Sequence, residues 1–382
     1  MHAMMPYTDR QKMQQEQLAA LNTLFKEVLP GNSFYQTKFT DLKNDATFDT
    51  ISDFQSRVPF TLKTDLVSDQ LSNPPYGTNL SRPIGDYVRY NQTSGTSGQP
   101  LRWLDTPESW EWMLRGWLRF LLYCGLKAVD RVGLAFSFGP FLGFWTAFDA
   151  AVRLGFLCIP AGGLSSIARL KLFQQNQIYA LLCTPTYAIR LGEVAQAEGV
   201  SFKEHPVRSI IVAGEPGGSL PEVVRKIENL WPGAKVYDHH GMTEVGPVCY
   251  ECPENRGTLR ILGDNYFAEI LDTQTLEPVQ PGEAGELVLT TLGRYGSPLI
   301  RYRTGDLVQE NTAAKGSNAE LALLGGILGR TDDMSSIRGV NIYPAAIDSI
   351  LRRFDWIAEY QVNISTSRGM NEKAIKVEPF PE

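Results

Sequence analysis

At 382 residues the chain is too long for one simple core, and its 43% hydrophobic and 20% charged content is that of an ordinary globular protein of at least two lobes. A formal net charge of −6 argues against a nucleic-acid binder, whose footprint is a basic surface, though it leaves room for a local basic pocket. Five cysteines, odd in number and mostly in apolar runs, read as reduced thiols of a cytoplasmic protein rather than as a disulfide framework.

The first ten residues hold no apolar signal core. Thr8 and Gln11 are placed as a capping box, and Leu18, Leu21, Phe25 and Val28 then recur at helical spacing, predicting a first helix that ends near Pro30. The longest uncharged apolar stretch, 132–148, is broken by Gly133, Gly139, Pro140 and Gly143, so it reads as buried pocket wall and not as a membrane span. From about Trp110 onward, helical patterns alternate with short apolar runs at 131–137, 155–159, 180–183 and 209–213. Runs of that kind are strands buried on both faces, which predicts a parallel α/β sheet. Residues 266–310 differ. Their alternation and the punctuation by Pro281, Gly282 and Gly296 predict antiparallel strands or a small barrel. A short α+β segment follows, with a helix over 345–354 and strands over 360–364 and 374–377. The expected fold is therefore α/β, with a large lobe (1–328) of parallel or mixed sheets, flanking helices and a barrel-like part, and a small α+β lobe (329–382).

Five segments carry candidate chemistry. In Thr93-Ser94-Gly95-Thr96-Ser97-Gly98, small hydroxyl residues and two glycines leave N–H and O–H groups free to converge on an anion. The Lys-Ser/Thr pair of a Walker loop is absent, and a plain Ser/Gly loop is the alternative. Gly214-Glu215-Pro216 follows an apolar strand, at the carboxyl end where open α/β sheets bind ligands. Residues 237–246 hold His240, Thr243 and Glu244 in one compact loop: Glu244 suits Mg²⁺ and Thr243 a phosphate. The neighbouring histidines with Cys249 and Cys252 admit a zinc site, against which their spacing speaks. Asp306, closing a Gly turn in 301–306, is suited to a ribose diol. Residues 329–344, with Arg330 and Asp332, resemble a junction that absorbs a hinge rotation. An ordinary charged turn is the alternative for the last two.

In this order and at these separations the five segments resemble the adenylate-forming superfamily of acyl-CoA synthetases, adenylation domains and luciferases. The forms Arg-Tyr-Arg-Thr-Gly-Asp306 and Asp-Asp-Met…Arg-Gly-Val-Asn-Ile-Tyr-Pro344 are most similar to the phenylacetate–CoA ligase group. The resemblance implies an ATP-dependent ligase that converts a carboxylic acid into acyl-AMP, with ATP, Mg²⁺ and CoA as cofactors, and a place in secondary metabolism. Thr93 to Gly98 would cradle the β- and γ-phosphates, the Gly214-Glu215-Pro216 turn would line adenine, and His240 would pack on the purine where tyrosine is usual. Thr243 would meet the α-phosphate, Glu244 would hold Mg²⁺, Asp306 would bind the ribose, Arg330 would approach ribose or phosphate, and Asp332 would be the hinge. Phe136, Phe138, Phe141, Phe144 and Trp145 suit a flat apolar ring, with a plain core as the alternative. The implied partners are an aromatic carboxylic acid and an acyl acceptor (CoA, a carrier protein or a reductase), with a homodimer as an open option and neither nucleic acid nor membrane.

The family's C-terminal lobe is longer and carries a lysine near its end; Lys373 and Lys376 lie too early to be that residue, so this lobe is expected to be truncated. A second reading follows, in which the protein binds nucleotide or acyl-adenylate with weak or lost turnover. Intact Thr93–Gly98, Glu244 and Asp306 favour the enzyme.

Overall fold

The computed structural model describes residues 7–42, 46–93, 99–127, 129–203, 206–314 and 319–331, and beyond them 335–337, 340–342, 347, 350–351, 354, 356–367 and 370–379. Helix α1 spans Arg10–Val28 and buries Leu21, Leu24, Phe25 and Val28 completely. Its cap is Asp9 rather than Thr8: one carboxylate oxygen accepts from the N–H groups of Gln11 (2.8 Å) and Lys12 (3.1 Å). A carboxylate serves both the orphan donors and the positive end of the helix dipole, which a hydroxyl cannot. Helices α2 (Ser33–Lys38), α3 (Ile51–Arg57) and α4 (Lys63–Ser72) follow, then the hairpin of β1 (Arg89–Gln92) and β2 (Arg102–Asp105).

The central layer is an α/β alternation: α5 (Pro107–Tyr123), β3 (Arg131–Leu134), α6 (Trp145–Arg153), β4 (Leu157–Pro160), α7 (Ser166–Gln175), β5 (Ala180–Cys183), α8 (Pro185–Ala197), β6 (Ser209–Val212), α9 (Pro221–Leu230) and β7 (Lys235–Met242). The four apolar runs expected as parallel strands are β3 to β6, and β5 and β6 are buried at every position. Strands β8 (Gly246–Glu251) and β9 (Thr258–Ile261) continue antiparallel from β7. After β10 (Tyr266–Leu271), β11 (Ala284–Thr291) and β12 (Tyr302–Gln309) come β13 (Ala322–Leu324) and β14 (Gly329–Arg330). The result is an eight-stranded mixed sheet in the order β13-β9-β8-β7-β6-β5-β3-β4 and a four-stranded antiparallel sheet in the order β10-β11-β12-β14.

The apolar stretch 132–148 is divided among β3, a turn segment and the start of α6. Among the described residues no helix is long and apolar enough to cross a membrane. Further on, residues 347, 350 and 351 are helical. Strands β15 (Ser335–Ile337) and β16 (Val340–Ile342) pair, as do β17 (Ile357–Ser367) and β18 (Met370–Pro379).

The four-stranded sheet is tied together, and to the segment after α3, by a buried side chain. Arg301 sits at φ 45° just before β12 and lays its guanidinium on both oxygens of Glu269 in β10 (3.0 and 2.8 Å), with a further bond to the Val58 carbonyl (2.8 Å) after α3. Thr61 joins by a parallel bridge to Tyr302. These contacts fix β12, and so Tyr302 and Asp306, against β10 and the segment between α3 and α4.

Candidate active site

A cavity of about 740 Å³ opens beyond the carboxyl ends of β3, β5, β6 and β7, where parallel sheets of this type present their loops to ligands. Its wall takes Thr93 from the end of the β1 hairpin, Gly214 after β6, Thr243 and Glu244 from the β7–β8 turn, and Arg330 from β14. Phe136, Phe141 and Phe144 form an aromatic side. Five segments far apart in sequence are thus brought to one space by the topology.

Each element positions its residue for a local reason. Thr93 closes the hairpin on Leu101: its N–H donates to the Leu101 carbonyl (2.9 Å) and its hydroxyl accepts from the Leu101 N–H (3.0 Å). Ser94, Gly95, Thr96, Ser97 and Gly98 lie outside the described residues, as does Asp332. Gly214 has φ +93°, a conformation that disfavours a side chain, and lets the chain turn across the cavity mouth. Glu215 does not line the cavity. Its carboxylate accepts from the Thr186 N–H at 2.7 Å, in the first turn of α8, so it anchors the turn rather than facing the cavity. Pro216 likewise stands off the wall.

The β7–β8 turn is the most constrained part. Gly246 has φ +108°, and a Cβ there would meet Met113 Sδ and Tyr266 Oη at 3.0 Å, so the tight return requires glycine. The Leu142 N–H donates to the Thr243 hydroxyl (3.3 Å), which leaves that hydroxyl's own proton free to donate. Glu244 is buried, and its carboxylate accepts from the Tyr302 hydroxyl at 3.2 Å. Burial, reinforced by the Glu244 charge, holds the Tyr302 phenol well above its ordinary value, so it remains a donor. From beneath, Arg294 donates to the Glu244 carbonyl (2.7 Å) while its fork grips both oxygens of Asp105 (2.6 and 2.7 Å).

His240 and Asp306 come together beside this turn. His240 Nε2 stands 3.2 Å from Asp306 Oδ2, within ion-pair range, yet neither atom has a hydrogen-bond partner among the described residues. Asp306 Oδ1 accepts from Arg330 (3.1 Å), which also donates to the Thr304 carbonyl (3.2 Å). Both atoms are enclosed by protein, and neither residue lines the cavity: the imidazole and the carboxylate face each other beside its wall.

The aromatic residues separate into two groups. Phe136 and Phe144, 4.5 Å apart, face the cavity with Phe141. Phe138 and Trp145 pack behind them, 4.5 Å from each other, and the Trp145 indole donates to the Gly139 carbonyl. The cavity also receives residues with no recognisable local signal: Lys63 at the start of α4, Thr184 capping α8, Trp117 on α5 and His239 on β7. Only the assembled sheet brings them in.

Cys249 and Cys252 are buried, and burial raises both thiols. Among the described residues no group of three or more His, Cys, Asp or Glu side chains gathers to hold a metal ion, so the zinc alternative has no ligand set there.

Beneath the site, Asp238 is wholly enclosed, and burial pushes its carboxyl up to about 7 despite hydrogen bonds from Ser219 and the His239 N–H. The native state then holds a proton that the unfolded chain releases near 3.8, so this contribution is full below that pH and is lost as pH rises to about 7. Asp238→Asn is expected to flatten that decline, seen as a smaller difference in urea midpoint between about pH 5 and pH 8 than the parent shows.

A family model described as AMP-binding enzyme matches residues 83–293. The phenylacetate–coenzyme A ligase of Thermus thermophilus is 32% identical over 325 residues, covering 84% of this chain and 71% of that protein. The phenylacetate–coenzyme A ligase of Pseudomonas putida is 29% identical over 369 residues, covering 96% and 82%. Among solved structures, 2-hydroxyisobutyryl-CoA ligase in the postadenylation state with 2-HIB-AMP superposes with a TM-score of 0.89 at 29% identity, covering 96% of this chain and 78% of that one. Motif order, cavity and overall architecture agree, and the chain belongs to the AMP-binding enzymes, in the phenylacetate–CoA ligase-like group of adenylate-forming acid–CoA ligases.

Proposed function

We propose that the protein activates an aryl carboxylic acid with ATP to an acyl-AMP, releasing pyrophosphate, and then passes the acyl group to CoA. The observation that carries this is the composition of one cavity, where a phosphate-suited turn with a carboxylate meets an apolar aromatic wall. A carboxylate oxygen of the acid attacks the α-phosphorus as the bond to pyrophosphate breaks; the CoA thiolate then attacks the acyl carbonyl and AMP leaves. Both steps ask the protein mainly for alignment and for stabilisation of developing oxygen charge.

In this reading Thr93, with Ser94 to Gly98, holds the β- and γ-phosphates, Thr243 donates to the α-phosphate, and Arg330 balances charge near ribose or phosphate. Asp306 takes the ribose hydroxyls. His240, 3.2 Å from Asp306, packs on the purine. Glu244 offers a buried carboxylate of which one oxygen is held by Tyr302, a donor set that fits Mg²⁺ shared with substrate phosphates. When bound there, Mg²⁺ would neutralise charge on the phosphates. Residues 329–382 form the hinge-linked small domain, with Asp332 at the pivot, and 1–328 the large one. A cytoplasmic setting suits the five free thiols among the described residues.

Pyrophosphate release with a panel of aryl acids tests the proposal; no release above background, with ATP still bound, would replace it by a nucleotide-binding role. Asp306→Ala is expected to weaken ATP binding about 10- to 100-fold, since a charged acceptor paired with two hydroxyls is lost. Titration calorimetry with ATP measures it, and an unchanged affinity would remove Asp306 from the ribose site.

A further inference from the structure

Four of the five aromatic residues between 136 and 145 pair with one another: Phe136 with Phe138 (4.7 Å) and Phe144 (4.5 Å), and Phe138 with Trp145 (4.5 Å). Phe141 is the exception. Among the described residues no ring packs on it, it is 39% exposed, and it lines the cavity. An aromatic ring left open on a cavity wall can take a second ring by stacking or edge-to-face contact.

The open ring is nevertheless held in one place. A Cβ at Gly139 would come 2.7 Å from Cε1 of Phe141, and one at Gly143 would come 2.7 Å from Cε2, so opposite edges of the ring rest on two glycines. Gly143 has φ +42°, which favours glycine on its own account. Gly139 has no such conformation, and the nearest atoms to a Cβ there all belong to the Phe141 ring. The backbone under the ring is tied down on several sides. The Gln92 N–H donates to the Pro140 carbonyl (2.5 Å), the Leu142 N–H to the Thr243 hydroxyl (3.3 Å), and the Trp145 indole to the Gly139 carbonyl (3.1 Å). A methyl group added at Gly139 therefore moves the half-exposed ring rather than the chain beneath it.

We infer that Gly139 and Gly143 form a seat that holds the Phe141 ring as the stacking platform for the acid, and that this seat makes the pocket select flat-ring acids over acids of similar size without an aromatic face. This rests on the activity proposed above and specifies how its acyl pocket chooses. Gly139 is a positioning residue, acting through Phe141 and not on the acid itself.

The test compares flat rings with saturated ones. Phenylacetate and cyclohexylacetate, and benzoate and cyclohexanecarboxylate, are titrated calorimetrically into the protein with α,β-methylene-ATP present and, separately, assayed with ATP for pyrophosphate release. In at least one pair the aromatic acid is expected to bind about 3- to 10-fold tighter, the range an aromatic pair adds beyond its area burial. Gly139→Ala should bring that ratio close to one and raise the KM of the aromatic acid, with kcat changed less than about 3-fold. Phe141→Leu should remove the preference as well. In the Phe141→Leu background, Gly139→Ala should add nothing further, because the new methyl then meets no ring. No binding of any of the four acids, equal affinity within both pairs, a preference that survives either single change in a folded variant, or additive effects in the double variant would overturn the inference. Selective binding without pyrophosphate release would instead overturn the proposed activity and uphold the seat.

Discussion

Glu244→Gln is expected to lower pyrophosphate release at least about 100-fold while leaving ATP affinity within a few-fold of the parent. The substitution is nearly isosteric, so the Tyr302 hydroxyl keeps an oxygen to donate to and the turn keeps its Arg294 anchor at the backbone carbonyl. What changes is the negative charge, and with it the ability to share a hard cation with phosphate oxygens. In the proposed reading nucleotide binding draws on Thr93, Asp306 and Arg330 as well, and Arg330 is held on Asp306 and the Thr304 carbonyl. Stopped-time pyrophosphate assays over a range of Mg²⁺, together with ATP titration, separate the two effects. If the variant turned over at the parental rate, Glu244 would have no part in the chemistry.

Much of this site was legible in the sequence because its parts are local. Gly214, Thr243 and Glu244 each sit in a short turn whose glycines and small residues announce a strand ending, and the strands β5 and β6 are continuous apolar runs with no competing pattern. Asp306 was singled out on the same kind of turn, but it stands beside the cavity rather than on its wall. What the sequence did not show depends on distance along the chain. Trp117 reads as an ordinary core residue, since nothing local distinguishes an aromatic that faces a cavity from one that fills a core, and His239 entered only through the zinc alternative. Lys63 is separated from the β7–β8 turn by the whole parallel sheet. Likewise, Glu215 looks like a ligand group in the turn but is spent on the N–H of Thr186, and Phe138 and Trp145 pack behind the wall rather than on it. Asp9 displaced Thr8 as the first cap because two acceptable caps stood side by side and the charged one suits the helix end better.

The arrangement around Glu244 also explains why the site is held by residues that never meet a ligand. Three tiers are stacked there: the turn, the guanidinium of Arg294 beneath it, and the carboxylate of Asp105 at the end of β2. The same β1–β2 hairpin carries Thr93 at its other end, across the strand pair from Asp105. A single buried ion pair therefore ties both the Thr93 hairpin and the β7–β8 turn to one frame, with no loop of its own.

Arg294→Met should accordingly cost about 3–5 kcal/mol of stability, the largest loss expected for any single change at this site. Both partners of the pair are fully buried, so removing the guanidinium leaves the Asp105 carboxylate enclosed with no countercharge and frees the Glu244 carbonyl from its donor. Methionine fills much of the same volume, and the loss is then electrostatic rather than a cavity effect. Urea unfolding of the variant measures it as a lower midpoint at unchanged slope. Pairing it with Asp105→Leu tests the cause, because replacing both charges by apolar groups should recover much of the stability that the single variant loses. Activity should not recover with it. In the double variant the Glu244 carbonyl still lacks its donor, so pyrophosphate release is expected to stay about 10-fold or more below the parent even where the protein is fully folded. Recovery of both together would mean that Arg294 supports only the fold; recovery of stability alone places it as the residue that positions Thr243 and Glu244.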